Sequence, residues 1–82
     1  MTTTWTDPRG LERTGELLDQ AVINHPKMGV FTASFYRTPE REAFNREYWT
    51  IEIFTAAEKT LVYRMENEEG GRKRMAQLRA QA

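Results

Sequence analysis

Two runs of alternating side chains constrain the fold of this chain more than any other feature. Across residues 48–55, Trp49, Ile51 and Ile53 alternate with Thr50 and Glu52; across residues 30–38, Phe31, Ala33 and Phe35 alternate with Thr32, Ser34 and Tyr36. A two-residue period puts every second side chain on one face of a strand, and β-branched and aromatic residues suit that pleated surface. Each run predicts a strand with one apolar face, and the simplest pairing of the two is antiparallel.

Two strands alone make a marginal sheet in water. Residues 59–65 offer a third, with Leu61, Tyr63 and Met65 alternating with Thr60, Val62 and Arg64. The same stretch carries a helical pattern. Thr55-Ala56-Ala57-Glu58 has capping-box spacing, and Ala57, Leu61 and Met65 recur every four residues. The sheet's need for a partner favours the strand, while local signals leave residues 56–69 open.

Before the first strand, Asp7-Pro8 reads as a helix start, with Asp7 capping and Pro8 at the first helical position. Leu11, Leu18 and Val22 then share a helical face, and Asn24-His25-Pro26 ends it because the residue before proline avoids the α region. The expectation is a helix over residues 8–24, preceded by an extended arm at 1–6. Gly15 costs such a helix about 1 kcal/mol relative to alanine, which a close neighbour would explain. Thr38-Pro39-Glu40 can cap a short turn, and residues 40–47 form a short helix or a wide connection anchored by Phe44. Glu66 to Gly71 reads as a flexible joint, followed by a basic, semi-independent helix over residues 72–82 with Met75 and Leu78 as apolar handles. The fold class expected is α+β: an N-terminal helix, a small antiparallel sheet of two or three strands, and a C-terminal helix.

With 82 residues the chain makes one domain. It has no cysteine, so disulfides and thiolate metal sites are excluded. Twelve basic and twelve acidic residues cancel, which argues against a dedicated nucleic-acid binder and against an acidic mimic of DNA. No apolar run approaches the roughly 20 residues of a membrane helix. The first residues lack the basic and apolar regions of a signal peptide. No membrane association and a cytoplasmic location are the expectations.

Catalytic signatures are sparse. His25 is the sole histidine and Ser34 the sole serine, and neither has a partner at catalytic spacing. His25 reads as a surface residue favoured at a helix C-terminus. Gly70-Gly71 before Arg72-Lys73-Arg74 lacks the spacing of a phosphate loop. Arg37, Arg41, Glu42, Glu47, Glu52, Tyr63 and Arg64 supply the residue types with which a histidine-independent, ribonuclease-type toxin could work, but such residues occur on almost any charged sheet. No catalytic residue, cofactor, metal or small-molecule substrate is assigned.

Binding to a macromolecule is the function expected. Tyrosine, tryptophan and arginine dominate binding hot spots, and a short sheet with open edges invites strand pairing with another chain or with itself. Tyr36, Arg37, Tyr48 and Tyr63 are the candidate interface residues, for a protein partner or a homodimer. Small size alone suggests an inhibitor of the phage or mobile-element type, or an accessory subunit. The alternative is a nucleic-acid-binding regulator using Arg72, Lys73, Arg74 and Arg79, four cations with no acid among them.

Overall fold

The computed structural model describes residues 3–38 and 48–81. The chain runs through β1 (Thr4–Thr6), β2 (Glu12–Thr14), β3 (Glu16–His25), β4 (Gly29–Thr38), β5 (Tyr48–Thr55), β6 (Thr60–Met65) and α1 (Glu68–Ala80). β3 to β6 form an antiparallel meander in sequence order, and β1 and β2 form a separate two-stranded hairpin. All three strands expected from alternation are present. The order is mostly β.

No N-terminal helix exists, which overturns the expected helix over 8–24. Its residues form a turn, β2 and β3 instead. Asp7 does cap, but it caps a turn: its Oδ1 accepts the N–H groups of Arg9 at 2.9 Å and Leu11 at 3.0 Å. In β3 the alternation that marks a strand is broken by a bulge between Leu17 and Asp19, because one extra residue shifts every later side chain to the other face. Gly15 joins β2 to β3 at φ +127, where a β-carbon would lie 2.6 Å from the Arg37 carbonyl oxygen. The close neighbour is there, but the element is a sharp bend between strands. Pro26 starts the β3–β4 turn, and His25 Nδ1 accepts the Lys27 and Met28 N–H groups, each at 3.1 Å. The expected sheet of two or three strands is likewise corrected, to four strands plus the hairpin.

The C-terminal helix also starts earlier than expected. Asn67 is its N-cap, accepting the Gly70 N–H at 2.7 Å, with Glu68 and Glu69 in the first turn. Gly70 and Gly71 therefore lie inside the helix and not in a joint. The expected short turn or connection at residues 40–47, with Arg41, Glu42 and Glu47, lies outside the described residues.

One face of the sheet carries the apolar core. Ile23, Phe31, Ala33, Phe35, Ile51 and Ile53 are buried there with Met75 and Leu78 of α1, and Leu18, Ala21, Trp49 and Met65 pack around them. These strand positions face each other in the observed register: Ile23 opposite Phe31, Ala33 opposite Ile53, Phe35 opposite Ile51. A helix with only two long apolar anchors is too short to persist alone, so α1 exists by docking. Arg79 of α1 grips Asp19 of β3 with two hydrogen bonds of 2.7 and 2.6 Å.

The opposite face is polar and lies under the β1–β2 hairpin. Ser34, Tyr36 and Thr50 are buried on it, Glu52 sits beside them, and Trp5 of β1 packs on Tyr36 with ring centroids 4.9 Å apart. The molecule is thus three layers deep: helix, sheet, hairpin.

Candidate functional site

Two regions concentrate the features that could carry function: the polar cluster beneath the hairpin and the outer edge of β6, which no other described strand pairs.

The polar cluster is built on Arg13. Its guanidinium forks onto Glu52, donating to Oε2 at 2.9 Å and Oε1 at 2.6 Å, and also donates to Asp7 Oδ2 at 3.2 Å. The Tyr36 hydroxyl donates to Glu52 Oε1 at 3.1 Å, and Arg13 lies over the rings of both Trp5 and Tyr36. Bidentate pairing of this kind fixes orientation as well as charge. Burial pushes the Asp7 carboxyl up, but hydrogen bonds from the Leu11 N–H, Arg9 and Arg13 outweigh that and hold it below the ordinary carboxylate range. The hydrogen bond to Glu52 raises Arg13, so its charge is permanent. Burial, reinforced by the Glu52 charge, raises Tyr36.

Arginine, glutamate and tyrosine in contact are an acid–base set on paper. The space described beside them is small. The cavity lined by Asp7, Arg9, Ser34, Glu52 and Phe54 measures about 10 Å³, room for one water molecule. Every charge in the cluster is matched, and its evident effect is to clamp the hairpin onto the sheet. Among the described residues no group of three or more His, Asp or Glu side chains is placed to hold a metal ion, and no helix is long and apolar enough to cross a membrane.

The β6 edge is different in kind. Thr55 donates its N–H to the Lys59 carbonyl at 3.0 Å, so this opposed pair is a hydrogen-bonded one. Hydrogen-bonded and non-hydrogen-bonded pairs alternate along an antiparallel ladder. In the register Phe54–Thr60, Ile53–Leu61, Glu52–Val62, Ile51–Tyr63 and Thr50–Arg64, Leu61 and Tyr63 bond to β5. The N–H and C=O groups of Thr60, Val62 and Arg64 point outward. Leu61, Val62 and Tyr63 are 40, 52 and 38% exposed. Beside them, Leu61 also lines an apolar groove of about 420 Å³ with Met28, Val30, Ala56, Ala57 and Lys59.

β3, at the other side of the sheet, is a guarded edge. It carries the bulge at Leu17–Asp19 and the polar side chains Glu16, Asp19, Gln20 and Asn24. Bulges and inward charges are the usual protection of an edge. β6 has an unbroken register and three consecutive exposed apolar residues.

Of the residues expected at an interface, Tyr63 lies on the β6 edge, with Arg74 over its ring at 6.0 Å. Tyr36 is buried under the hairpin. Arg37 is ion-paired with Glu16 at 3.0 Å, and Tyr48 is half-buried with Arg64 over its ring at 4.6 Å. The structure does not bring these four together. Leu61 and Val62 were missed as site residues, although their exposure on a third strand is readable from the alternation once its partner is known. Among the cations expected to meet nucleic acid, Arg72 bonds Glu68, Arg74 bonds Gln77 and Arg79 bonds Asp19; Lys73 is exposed on α1.

Compared with protein-family models, curated proteins and solved structures, the chain finds no match in any of the three.

Proposed function

We propose that this chain is a small protein-binding module that takes an extended segment of another polypeptide onto the outer edge of β6. The observation that carries this reading is the edge itself: outward N–H and C=O groups at Thr60, Val62 and Arg64, flanked by exposed Leu61, Val62 and Tyr63. Strand addition draws affinity from main-chain hydrogen bonds and specificity from alternate side chains, and this edge supplies both. Action as an inhibitor or accessory subunit of a larger assembly is the kind of role such a surface suits. A cytoplasmic location fits a chain that uses no disulfide.

The nucleic-acid reading has less support, because Arg72 and Arg79 are already engaged by acids of the same chain. The ribonuclease reading has less again, because the cavity described beside Glu52 has room for about one water molecule.

The test uses Val62→Pro. Its N–H faces away from β5, so proline removes no internal ladder bond, and edge strands tolerate proline at such a position. Wild-type and Val62→Pro baits are compared in captures from native cells by mass spectrometry. A protein held by wild type and lost from the folded Val62→Pro bait is the expected result. Identical capture by both baits sinks the proposal.

A further inference from the structure

The sequence of β6 is close to self-complementary, and the outward groups of its backbone select one register. We propose that the partner strand is β6 of a second copy of this chain, paired antiparallel about a two-fold axis at Val62. This rests on the reading of β6 as a pairing edge and names its occupant.

The axis stands perpendicular to the sheet, so both copies keep their helices on the same face. Opposed residues must then share a face, which requires pairing of even with even and odd with odd positions. Centring on Val62 sets Val62 opposite its own copy, Thr60 opposite Arg64 and Leu61 opposite Tyr63. Thr60, Val62 and Arg64 are the residues whose N–H and C=O groups point outward. Each of these pairs exchanges both backbone bonds, and the outward groups of β6 are all satisfied.

Centring on Tyr63 instead would pair Thr60 with Glu66, which lies beyond the strand, and would set Val62 against Arg64. Centring on Leu61 would leave Arg64 opposite Glu58, inside the β5–β6 turn, where the backbone has φ 61 and does not continue the strand. The Val62 register alone keeps every outward-pointing pair within Thr60–Met65.

Side chains agree with the backbone. On the helix face, Tyr63 of one copy meets Leu61 of the other, at the rim of the groove formed by Met28, Val30 and Ala57. On the hairpin face the two Val62 side chains touch. Arg64 falls opposite Thr60 of the other copy, so no like charges oppose each other across the seam. The outcome is a continuous sheet of eight strands, twice the four of one copy. The contact is one strand wide, well under the ~800 Å² per partner of a standard interface, so association is expected in the micromolar range.

Sedimentation velocity of the full chain, from a few to several hundred micromolar, tests this directly. Wild type is expected to shift from monomer to dimer with concentration, and Val62→Pro to stay monomeric with unchanged circular dichroism. The native chain has no cysteine, so single-cysteine variants give a second readout that holds if the proline variant fails to fold. In the proposed register the Val62 α-carbons lie about 5.5 Å apart, within disulfide reach. Val62→Cys should therefore oxidise to a dimer at least tenfold faster than Val22→Cys, although Val22 on β3 is the more exposed of the two. A monomer at every concentration, a dimer that survives Val62→Pro, or equal oxidation of the two cysteine variants overturns the proposal. A monomeric wild type that still captures a protein in a Val62→Pro-sensitive way removes the self-pairing and leaves the edge-binding reading standing.

Discussion

Gly71 of α1 lies directly on the ring of Phe35 in β4, with no space between them for a β-carbon. A helix built elsewhere would gain about 1 kcal/mol from alanine in place of glycine. Here the methyl group must displace a buried aromatic ring, and overpacking of that kind costs about 1–3 kcal/mol. Gly71→Ala should lower stability in urea titrations, while Gly70→Ala, whose new atom meets only the Asn67 side chain at 3.2 Å, should change it far less. Equal effects at the two glycines would mean that α1 does not dock as described.

Arg13 is the clamp between hairpin and sheet. Arg13→Ala leaves Glu52 without its cation and buried Asp7 with Arg9 alone, which should cost roughly 2–3 kcal/mol. The loss should be local: hydrogen exchange should quicken in residues 3–14 much more than in β4 and β5. Uniform quickening across the sheet would show that the hairpin and the sheet unfold as one unit.

Stability should fall in acid, and Asp7 should account for a measurable share. Its carboxyl is held below the ordinary value near 4. A group depressed in the folded state contributes fully above its unfolded value and loses that contribution as pH drops through its folded one. Asp19 follows the same sign, lowered first by its hydrogen bond from Arg79 and then, against the cost of burial, by that cation's charge. The decline should begin below about pH 4–5. Asp7→Asn should be less stable at pH 7 and should show a shallower decline toward pH 2. Parallel curves for the two proteins would remove Asp7 from the account.

Asn67 ends the approach to α1 and accepts the Gly70 N–H. Asn67→Ala should cost about 1 kcal/mol, and Asn67→Asp should be tolerated because aspartate caps equally well and favours the helix N-terminus. Thermal melts of the three proteins decide this, with the alanine variant expected lowest.

Alternation made β4 and β5 legible because their register is unbroken and each presents one apolar face; β6 alternates too, but Ala57, Leu61 and Met65 also fit a helix, and only the sheet's need for a third strand favoured it. β3 was hidden by its bulge: Leu18 belongs to the kink, Val22 to the exposed face and Leu11 to a turn, yet their spacing imitates a helix. Asp7-Pro8 misled for a related reason. An aspartate satisfies free N–H groups in a turn as readily as at a helix start, and the sequence alone does not say which. The clamp was beyond reach, since Arg13 and Glu52 stand 39 residues apart and nothing local links them. The β6 edge was half legible. Its strand and Tyr63 could be found, but the exposure of Leu61 and Val62 follows only from β6 being last in the sheet.

The ion pair between Arg79 and Asp19 joins residues 60 positions apart, whereas each strand of the meander pairs with its neighbour in sequence. During synthesis the strands from β3 to β6 can zip up as successive hairpins, each closing a short loop. The core face they create, with Ile23, Phe35 and Ile51, stays bare until the last turn of α1 has left the ribosome and reached back to β3. For that interval the nascent chain displays its own interior, and the helix serves as the cover that ends its exposure to chaperones and aggregation.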